Sequence, residues 1–166
     1  MSSSLTIALN DSTTTPWIAY GTGTAHYRKD ASEYIQLAVR TGFTHLDGAQ
    51  AYMNEETLGK GIAALCKPRS ELYVTTKLGV LTEGETIKET LLESLKKLGL
   101  DYVDMFLIHH PDFHQGRLKE VWKEMEGVKN DGLTRCASNI LAALLLKLNW
   151  SLQEYWGVEL QCQRTE

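Results

Sequence analysis

The chain of 166 residues is 43% hydrophobic and 23% charged, which is typical of a soluble globular domain and argues against disorder over its whole length. Its 17 basic and 21 acidic residues give a formal charge of -4, so no basic field is available to attract a nucleic acid. Neither a signal peptide nor a stretch of about 18 apolar residues occurs, so we expect no membrane partner and a cytoplasmic location.

The first predicted elements are a strand, a helix and a second strand. The first strand is "WIAYG", residues 17–21, and the helix follows over residues 30–42. Asp30 and Glu33 are spaced to form a capping box at the start of this helix, and Gly42 suits its end.

The next unit joins the strand "FTHLD", residues 43–47, to a helix that begins near Asn54. Its apolar residues recur at helical spacing, namely Leu58, Ile62 and Leu65. Pro68 marks the exit from this helix before the β-rich segment "ELYVTTK", residues 71–77. The order along the chain is therefore strand, helix, strand.

The second half of the chain repeats this order. Thr82 and Glu85 offer a capping box for a third helix, which Gly99 closes. The elements predicted after it are a strand at 102–110, an amphipathic helix over 118–128 and a fifth strand at 133–138.

Apolar strands that alternate with helices predict βαβ units and a parallel sheet covered by helices. Polar residues stand at the carboxyl ends of four predicted strands: Asp47, Lys77, His109 and Ser138. They are separated by about 30 residues, the length of one βα unit. Doubly wound sheets and (β/α)8 barrels both place their sites at this end of the strands. The spacing locates a site without choosing between the two folds.

The residue types at these strand ends indicate acid-base chemistry. Side chains alternate along a strand, so Lys77 and His109 can each face the site. A lysine that points inward is costly unless it is paired, and Asp47 is its natural partner. Tyr52, five residues after Asp47, can lean over the same opening. A phenol beside an ammonium loses its proton more easily, which suits a general acid.

Plainer interpretations exist for each residue taken alone. The lysine and aspartate could form a structural ion pair, and a lone tyrosine is usually a packing residue. The segment "HHPDFH" also contains metal-ligand types: His109, His110, Asp112 and His114. Adjacent strand residues diverge, however, and no open-site ligand spacing occurs, so we expect no metal. The joint placement of Asp47, Tyr52, Lys77 and His109 favours catalysis.

Two further patterns exclude other classes of site. "GTGT" at residues 21–24 is not the G-x-G-x-x-G fingerprint of a classical dinucleotide fold. The three cysteines, Cys66, Cys136 and Cys162, lack the paired short spacing of a disulfide framework or zinc knuckle. We expect the cysteines to be buried packing residues in a reducing compartment.

The segment "GFTHLDGAQAYMNEETLGKGI", residues 42–62, resembles the signature of the aldo-keto reductases, in which an aspartate, a tyrosine five residues later and Asn-Glu open the second βα unit. The segments "LYVTTKLG", "LDYVDMFLIHHP" and "ASN" are similar to later motifs of the family, in the same order. "LNDSTTTPWIAYGTGTA" resembles its entrance hairpin and first strand. The resemblance covers about residues 5–139 and implies a TIM (β/α)8 barrel.

The resemblance implies reduction of aldehydes and ketones by hydride transfer from NADPH. Tyr52 would protonate the carbonyl oxygen, with Lys77 and Asp47 adjusting its acidity. The implied cofactor-binding residues are Asp47, Ser138 and Asn139. The implied substrate-binding residues are Tyr20, His26 and His109, the last of which would orient the carbonyl. His26 stands where fungal-type relatives tend to have tryptophan, which implies a more polar pocket wall.

Eight βα units need about 250 residues, whereas this chain is predicted to contain about five. We therefore expect residues 1–166 to form one partial oxidoreductase domain with a divergent tail at 140–166, the product of truncation or alternative splicing. Open barrel edges would favour self-association. Two functions stay open: an NADPH-dependent reductase of small carbonyl compounds, and a catalytically silent fragment that acts only through association or binding.

Overall fold

The computed structural model describes residues 5–9 and 13–139, with side chains up to Ser138. Within these residues a short hairpin precedes a five-stranded parallel sheet, and consecutive helices pack side by side along the sheet. The predicted tail at 140–166 lies outside the described residues.

The strands of the parallel sheet follow one another in chain order. The hairpin consists of β1 (Thr6–Ala8) and β2 (Thr14–Pro16), which pair antiparallel. The parallel strands are β3 (Ala19–Gly21), β4 (His45–Asp47), β5 (Tyr73–Leu78), β6 (Val103–Ile108) and β7 (Thr134–Asn139). Their order in the sheet is β3-β4-β5-β6-β7.

Each crossover between neighbouring parallel strands contains a helix. The helices are α1 (Ser32–Arg40), α2 (Glu55–Ala63), α3 (Ile87–Leu98) and α4 (Leu118–Asn130) in the described part of the chain. Single 3-10 turns cover Gln50–Tyr52, Arg69–Glu71 and Pro111–His114. A doubly wound sheet reverses its strand order at a switch point, whereas an α/β barrel does not. The observed order confirms the barrel type, and the barrel is incomplete in the described residues.

The apolar core lies between the outer face of the sheet and the helices. Its largest buried side chains include Leu46, Val74 and Phe106 from the strands and Ile35, Leu58, Leu91 and Met125 from the helices. Phe106 and Ile108 face this core, so the alternation along β6 turns Leu107 to the inner face of the sheet. The inner face is the one that carries the polar strand-end residues.

The start of α1 differs from the prediction. The helix begins at Ser32, and its N-cap Ala31 has no side-chain hydrogen bond. Asp30 accepts a hydrogen bond from the Ser32 N–H at 2.8 Å and so closes a local turn before the helix. The expected capping box with Glu33 therefore does not form.

The start of α3 also lies later than predicted. Thr86 accepts from the Glu89 N–H while the Glu89 carboxylate accepts from the Thr86 N–H, which makes a complete capping box before Ile87. The carboxylate of Glu85 instead accepts from the Thr82 N–H at 2.8 Å in the preceding turn. Thr82–Glu85 and Thr86–Glu89 both match the capping-box pattern. The later pair directly precedes Ile87, the first buried residue of the helix.

The cysteine prediction is only partly right. Cys136 in β7 is buried, as expected. Cys66 is exposed, because it lies in the connection after α2, where its backbone takes the left-handed conformation with φ 51°. Cys162 lies outside the described residues.

Two glycines in helices give a stability prediction with a built-in control. A Cβ at Gly59 of α2 would lie 2.6 Å from the carbonyl carbon of Leu98, whereas a Cβ at Gly127 of α4 would meet nothing within 4 Å. Gly59→Ala should therefore lower the free energy of unfolding by about 1–3 kcal/mol through overpacking. Gly127→Ala should raise it by about 0.5–1 kcal/mol, because alanine loses less backbone entropy. Urea unfolding measures both, and equal shifts would contradict the packing of α2 on α3.

Candidate active site

Lys77 lies at the centre of a polar cluster at the carboxyl ends of β4 and β5. Its Nζ donates to Asp47 Oδ2 at 2.7 Å, to the Gly48 carbonyl at 2.8 Å and to the Tyr52 hydroxyl oxygen at 3.2 Å. The lysine side chain is 5% exposed and that of Asp47 is 25% exposed. An ammonium has three donor hydrogens, so every one of them has an acceptor in this cluster. The burial of the charge is thereby compensated.

The backbone at and after Tyr52 is fixed by the loop that follows β3. The Arg28 N–H donates to the Tyr52 carbonyl at 3.0 Å. The buried Asn54 donates from Nδ2 to the carbonyls of Thr22 and His26, at 2.9 and 2.6 Å. These bonds attach the turn that carries Tyr52 to the loop across the opening of the sheet.

The ring of Tyr52 lies against a glycine. A Cβ built on Gly23 would lie 2.9 Å from the ring carbon that carries the hydroxyl. Any larger residue at Gly23 would therefore have to displace the ring or its own backbone. The absence of a side chain at position 23 lets the tyrosine reach Lys77 in the observed conformation.

His109 completes the cluster from the end of β6. Its ring meets the Tyr52 ring edge-on, with 5.4 Å between centroids and an interplanar angle of 85°. Burial and then the charge of Lys77 lower the pKa of His109, so its imidazole is neutral at neutral pH. Its buried Nδ1 has no hydrogen-bond partner among the described residues. The Asp47, Tyr52, Lys77 and His109 side chains that were predicted to converge do lie together.

Two clefts open beside this cluster. The first has a volume of about 500 Å³ and is lined by Gly23, Thr24, Tyr27, Ala51, Tyr52 and His109. The second, of about 510 Å³, shares Gly23, Thr24 and Tyr52 with the first and extends to Tyr20, His26 and Asp47. A small molecule in the first cleft can therefore reach both the phenol and the imidazole.

Tyr20 and His26 lie at the second cleft and contact each other. A hydrogen bond of 2.8 Å joins the Tyr20 hydroxyl to His26 Nε2, and the His26 ring lies 4.5 Å from that of Tyr34 in α1. Tyr20 is in register with Leu46, a core residue, rather than with Asp47. The structure thus places this pair on the helix-facing side of β3, beside the Tyr52 cluster, and their substrate-binding role stays a prediction.

Ser138 lies in the same row of the sheet as Lys77. Lys77 pairs with Leu107 across β5 and β6, and Leu107 pairs with Ser138 across β6 and β7. Paired residues of a parallel sheet project to the same face, so Ser138 belongs to the inner face. Asn139 pairs with Ile108, and its side chain lies outside the described residues. The cofactor-binding roles of Ser138 and Asn139 stay predictions.

Sequence reasoning missed two groups, one that bonds to the cluster and one that bonds from the turn that carries Tyr52. The Gly48 carbonyl accepts from Lys77, and a backbone acceptor leaves no side-chain signal in a sequence. Gln50, in the turn that carries Tyr52, bonds to residues 29 to 44 positions away. A polar residue inside an otherwise apolar turn is the one sequence signal that could have pointed to Gln50.

Two other classes of site find no support in the described part of the chain. No group of three or more histidine, cysteine, aspartate or glutamate side chains among residues 5–9 and 13–139 is placed to hold a metal ion. Over the same residues, no helix has the length and apolarity needed to cross a membrane.

A half-buried histidine, His45, at the start of β4 gives a pH prediction. Burial lowers the pKa of His45 below the value of about 6.5 expected in the unfolded chain. The unfolded chain then binds the proton more tightly, so the free energy of unfolding is greatest above about pH 6.5 and falls as the pH drops below it. His45→Gln should reduce this fall between about pH 7 and 5.5, the range in which histidine titrates.

The matched control for this prediction is His110→Gln, which removes an exposed imidazole. Glu55, whose pKa is raised by burial, acts in the opposite direction, because its contribution is lost as the pH rises through its folded value. Urea unfolding at several pH values separates these effects, since Glu55 is present in both variants. An unchanged slope for His45→Gln would show that another group causes the acid sensitivity.

Comparison with known proteins supports one family. The sequence model of the aldo/keto reductase family matches residues 17–141. An aldo-keto reductase of Mycolicibacterium smegmatis is 39% identical over 131 residues, which is 78% of this chain and 46% of that protein. An NAD/NADP-dependent indole-3-acetaldehyde reductase of Schizosaccharomyces pombe is 39% identical over 128 residues, 71% of this chain and 44% of that protein. The chain spans about half the length of the curated relatives it matches.

Solved structures agree with this result. A Bombyx mori aldo-keto reductase in complex with NADP superposes with a TM-score of 0.69 at 33% identity, covering 82% of this chain and 50% of that one. An aldo/keto reductase from Brucella melitensis gives a TM-score of 0.71 at 29% identity, covering 94% of this chain and 60% of that one. With the strand order and the matched motifs, these findings show that the chain belongs to the aldo/keto reductase family.

Proposed function

We propose that the chain reduces aldehydes or ketones to alcohols, with NADPH as hydride donor and Tyr52 as general acid. The observation that carries this proposal is the bonding of Lys77 to both Asp47 and the Tyr52 hydroxyl, beside His109 and at the edge of a cleft. The names of the relatives support the reaction class, since one reduces an aldehyde and another was solved with NADP.

The residues present fit a nicotinamide cofactor. The first cleft opens directly over Tyr52 and His109, and the buried Nδ1 of His109 still lacks a partner among the described residues. Asp47, Ser138 and Asn139 would hold the nicotinamide end at the carboxyl ends of the strands. When bound, NADPH supplies the hydride that the carbonyl carbon accepts.

The side chains of this cluster provide the proton and the orientation. Tyr52 gives its hydroxyl proton to the carbonyl oxygen as the carbon gains hydride, which yields the alcohol. Lys77, within hydrogen-bond distance, stabilises the negative charge left on the phenol oxygen, and Asp47 holds the ammonium in place. The neutral His109 can donate one N–H to the carbonyl oxygen and so orient it. The phenol regains its proton from solvent through the open cleft.

NADPH titration followed by turnover tests this proposal. The described residues that would contact the cofactor reach only its nicotinamide end, so we expect binding weaker than micromolar and slow turnover, since remote contacts normally position the reacting groups. Loss of reduced nicotinamide absorbance with a panel of aldehydes and ketones, compared with NADH as donor, measures the reaction. A folded chain that is saturated with NADPH and consumes none with any carbonyl would contradict the proposal.

A catalytically silent role through association is the second candidate. Within the described residues, β3 and β7 are the outer strands of the sheet, and Trp17 and Ile18, beside β3, are 60% and 61% exposed. Exposed strand edges and apolar residues favour self-association. Sedimentation of the chain should then show oligomers. A compact monomer that binds NADPH at micromolar concentration or tighter would contradict this candidate.

A further inference from the structure

Gln50 joins the turn that carries Tyr52 to two other segments. Its Oε1 accepts from the Gly79 N–H at 2.7 Å. Its Nε2 donates to the Thr90 carbonyl at 3.3 Å and to Ser94 Oγ at 3.2 Å. Gly79 lies two residues after Lys77, and Gln50 lies two residues before Tyr52. The side-chain amide of Gln50 thus connects three segments: the turn that carries Tyr52, the residues that follow β5, and α3.

A second set of bonds continues this connection behind the sheet. The buried Ser94 lies beside the carboxylate of Glu55, the first residue of α2, and works against the rise that burial causes in the pKa of that carboxyl. Thr76 Oγ1 donates to Glu55 Oε1 at 2.6 Å, and Thr76 directly precedes Lys77 in β5. Polar side chains therefore lie next to one another from the turn of Tyr52 to the strand of Lys77, on the face of the sheet opposite the cleft.

The turn depends on bonds to other segments, and on the side of α3 and β5 the Gln50 amide supplies three of them. The 3-10 turn Gln50–Tyr52 is only three residues long and has no side-chain cap. The bond from Lys77 to the Tyr52 hydroxyl is 3.2 Å, longer than the bonds of the same ammonium to Asp47 and Gly48. A displacement of about 1 Å between reacting groups can cost 10²-fold in rate. A small shift of the turn would therefore separate the phenol from the ammonium.

We propose that Gln50 is a positioning residue that sets the separation of Tyr52 and Lys77 through its amide bridge to Gly79 and α3. This inference rests on the proposed function only in that Tyr52 is the group whose position matters for the reaction. The competing interpretation is a general structural role, in which the amide merely satisfies buried backbone groups.

The test compares Gln50→Met, which keeps the side-chain length and loses the bridge, with Gln50→Glu, which keeps the acceptor for the Gly79 N–H. Gln36→Met is the matched control, because Gln36 is a half-buried glutamine with side-chain hydrogen bonds inside α1. The chain is labelled with tyrosine carrying 13C at the ring carbon bonded to oxygen, and Tyr52→Phe assigns the resonance of Tyr52. This readout needs no substrate or cofactor.

Gln50→Met should shift or split the Tyr52 resonance while the other tyrosine resonances stay in place, and Gln50→Glu should fall between it and the unchanged chain. Where turnover is measurable, kcat should drop by about 10- to 100-fold with little change in KM. An unchanged Tyr52 resonance in Gln50→Met would overturn the inference. So would a shift that all tyrosine resonances share and that Gln36→Met also produces. If the resonance moves but the unchanged chain reduces no carbonyl, the positioning role stands and the proposed function fails.

Discussion

Tyr52→Phe is expected to lower carbonyl reduction by about 10²- to 10⁴-fold while leaving the fold intact, because it removes the hydroxyl that we propose as general acid and keeps the aromatic ring. The ring keeps its contact with Gly23 and its edge-on contact with His109, so the packing of the cleft is preserved. Steady-state kinetics at saturating NADPH, with circular dichroism to verify folding, measure the effect.

The control for this variant is Tyr102→Phe, which removes a phenol hydroxyl just before β6, at the end of the strand away from the cleft. The Tyr102 hydroxyl accepts a hydrogen bond from Arg135 at 2.8 Å and contacts none of the four clustered residues. The Tyr102→Phe variant should retain the activity of the unchanged chain. If Tyr52→Phe keeps near-full turnover, another group donates the proton and the assignment of Tyr52 is wrong.

Lys77→Met is expected to lower both activity and stability. The substitution removes the ammonium that bonds to the Tyr52 hydroxyl, and it leaves the carboxylate of Asp47 without its cationic partner. An unsatisfied charged group that is partly buried costs roughly 1–3 kcal/mol, so the free energy of unfolding should fall by that amount. The loss in rate should be comparable to that of Tyr52→Phe, because the phenol oxygen then bears its developing charge without a neighbouring cation.

A double-mutant cycle separates the two effects of Lys77→Met. Adding Asp47→Asn removes the orphaned charge, so the double variant should regain much of the lost stability and none of the lost activity. Urea unfolding and steady-state kinetics are measured on the unchanged chain, the two single variants and the double variant. The first gives the change in stability and the second gives the change in rate. Equal stability of Lys77→Met and the unchanged chain would show that the ion pair contributes nothing to the fold.

The convergence of Asp47, Lys77 and His109 could be predicted because it follows from periodicity. Each residue lies at or next to the carboxyl end of a strand, and strands one βα unit apart lie side by side in a parallel sheet. Alternation along a six-residue strand such as β5 or β6 then decides which face a side chain takes. These two regularities are local in sequence, so they required no knowledge of the tertiary structure.

The features that could not be predicted depend on contacts between distant segments. Gln50 meets α3 and the exit of β5, and nothing in its own turn specifies either partner. Tyr20 was assigned to the substrate site by resemblance alone, and β3, with three residues, is too short for alternation to indicate which face the side chain takes. The start of α3 differed because two capping patterns, Thr82–Glu85 and Thr86–Glu89, compete there, and only the later one directly precedes the helix. The start of α1 differed because Asp30 closes a local turn with Ser32.

The most direct test of the account is transfer of deuterium from NADPH labelled at the reactive C4 position of the nicotinamide. The 166-residue chain is incubated with labelled cofactor and an aldehyde, and the alcohol is analysed by mass spectrometry. If Tyr52, Lys77, Asp47 and His109 form a carbonyl-reducing site, the alcohol should carry deuterium on the former carbonyl carbon, and Tyr52→Phe should form far less of it. Alcohol without deuterium, or no alcohol from a folded chain with NADPH bound, would contradict the account.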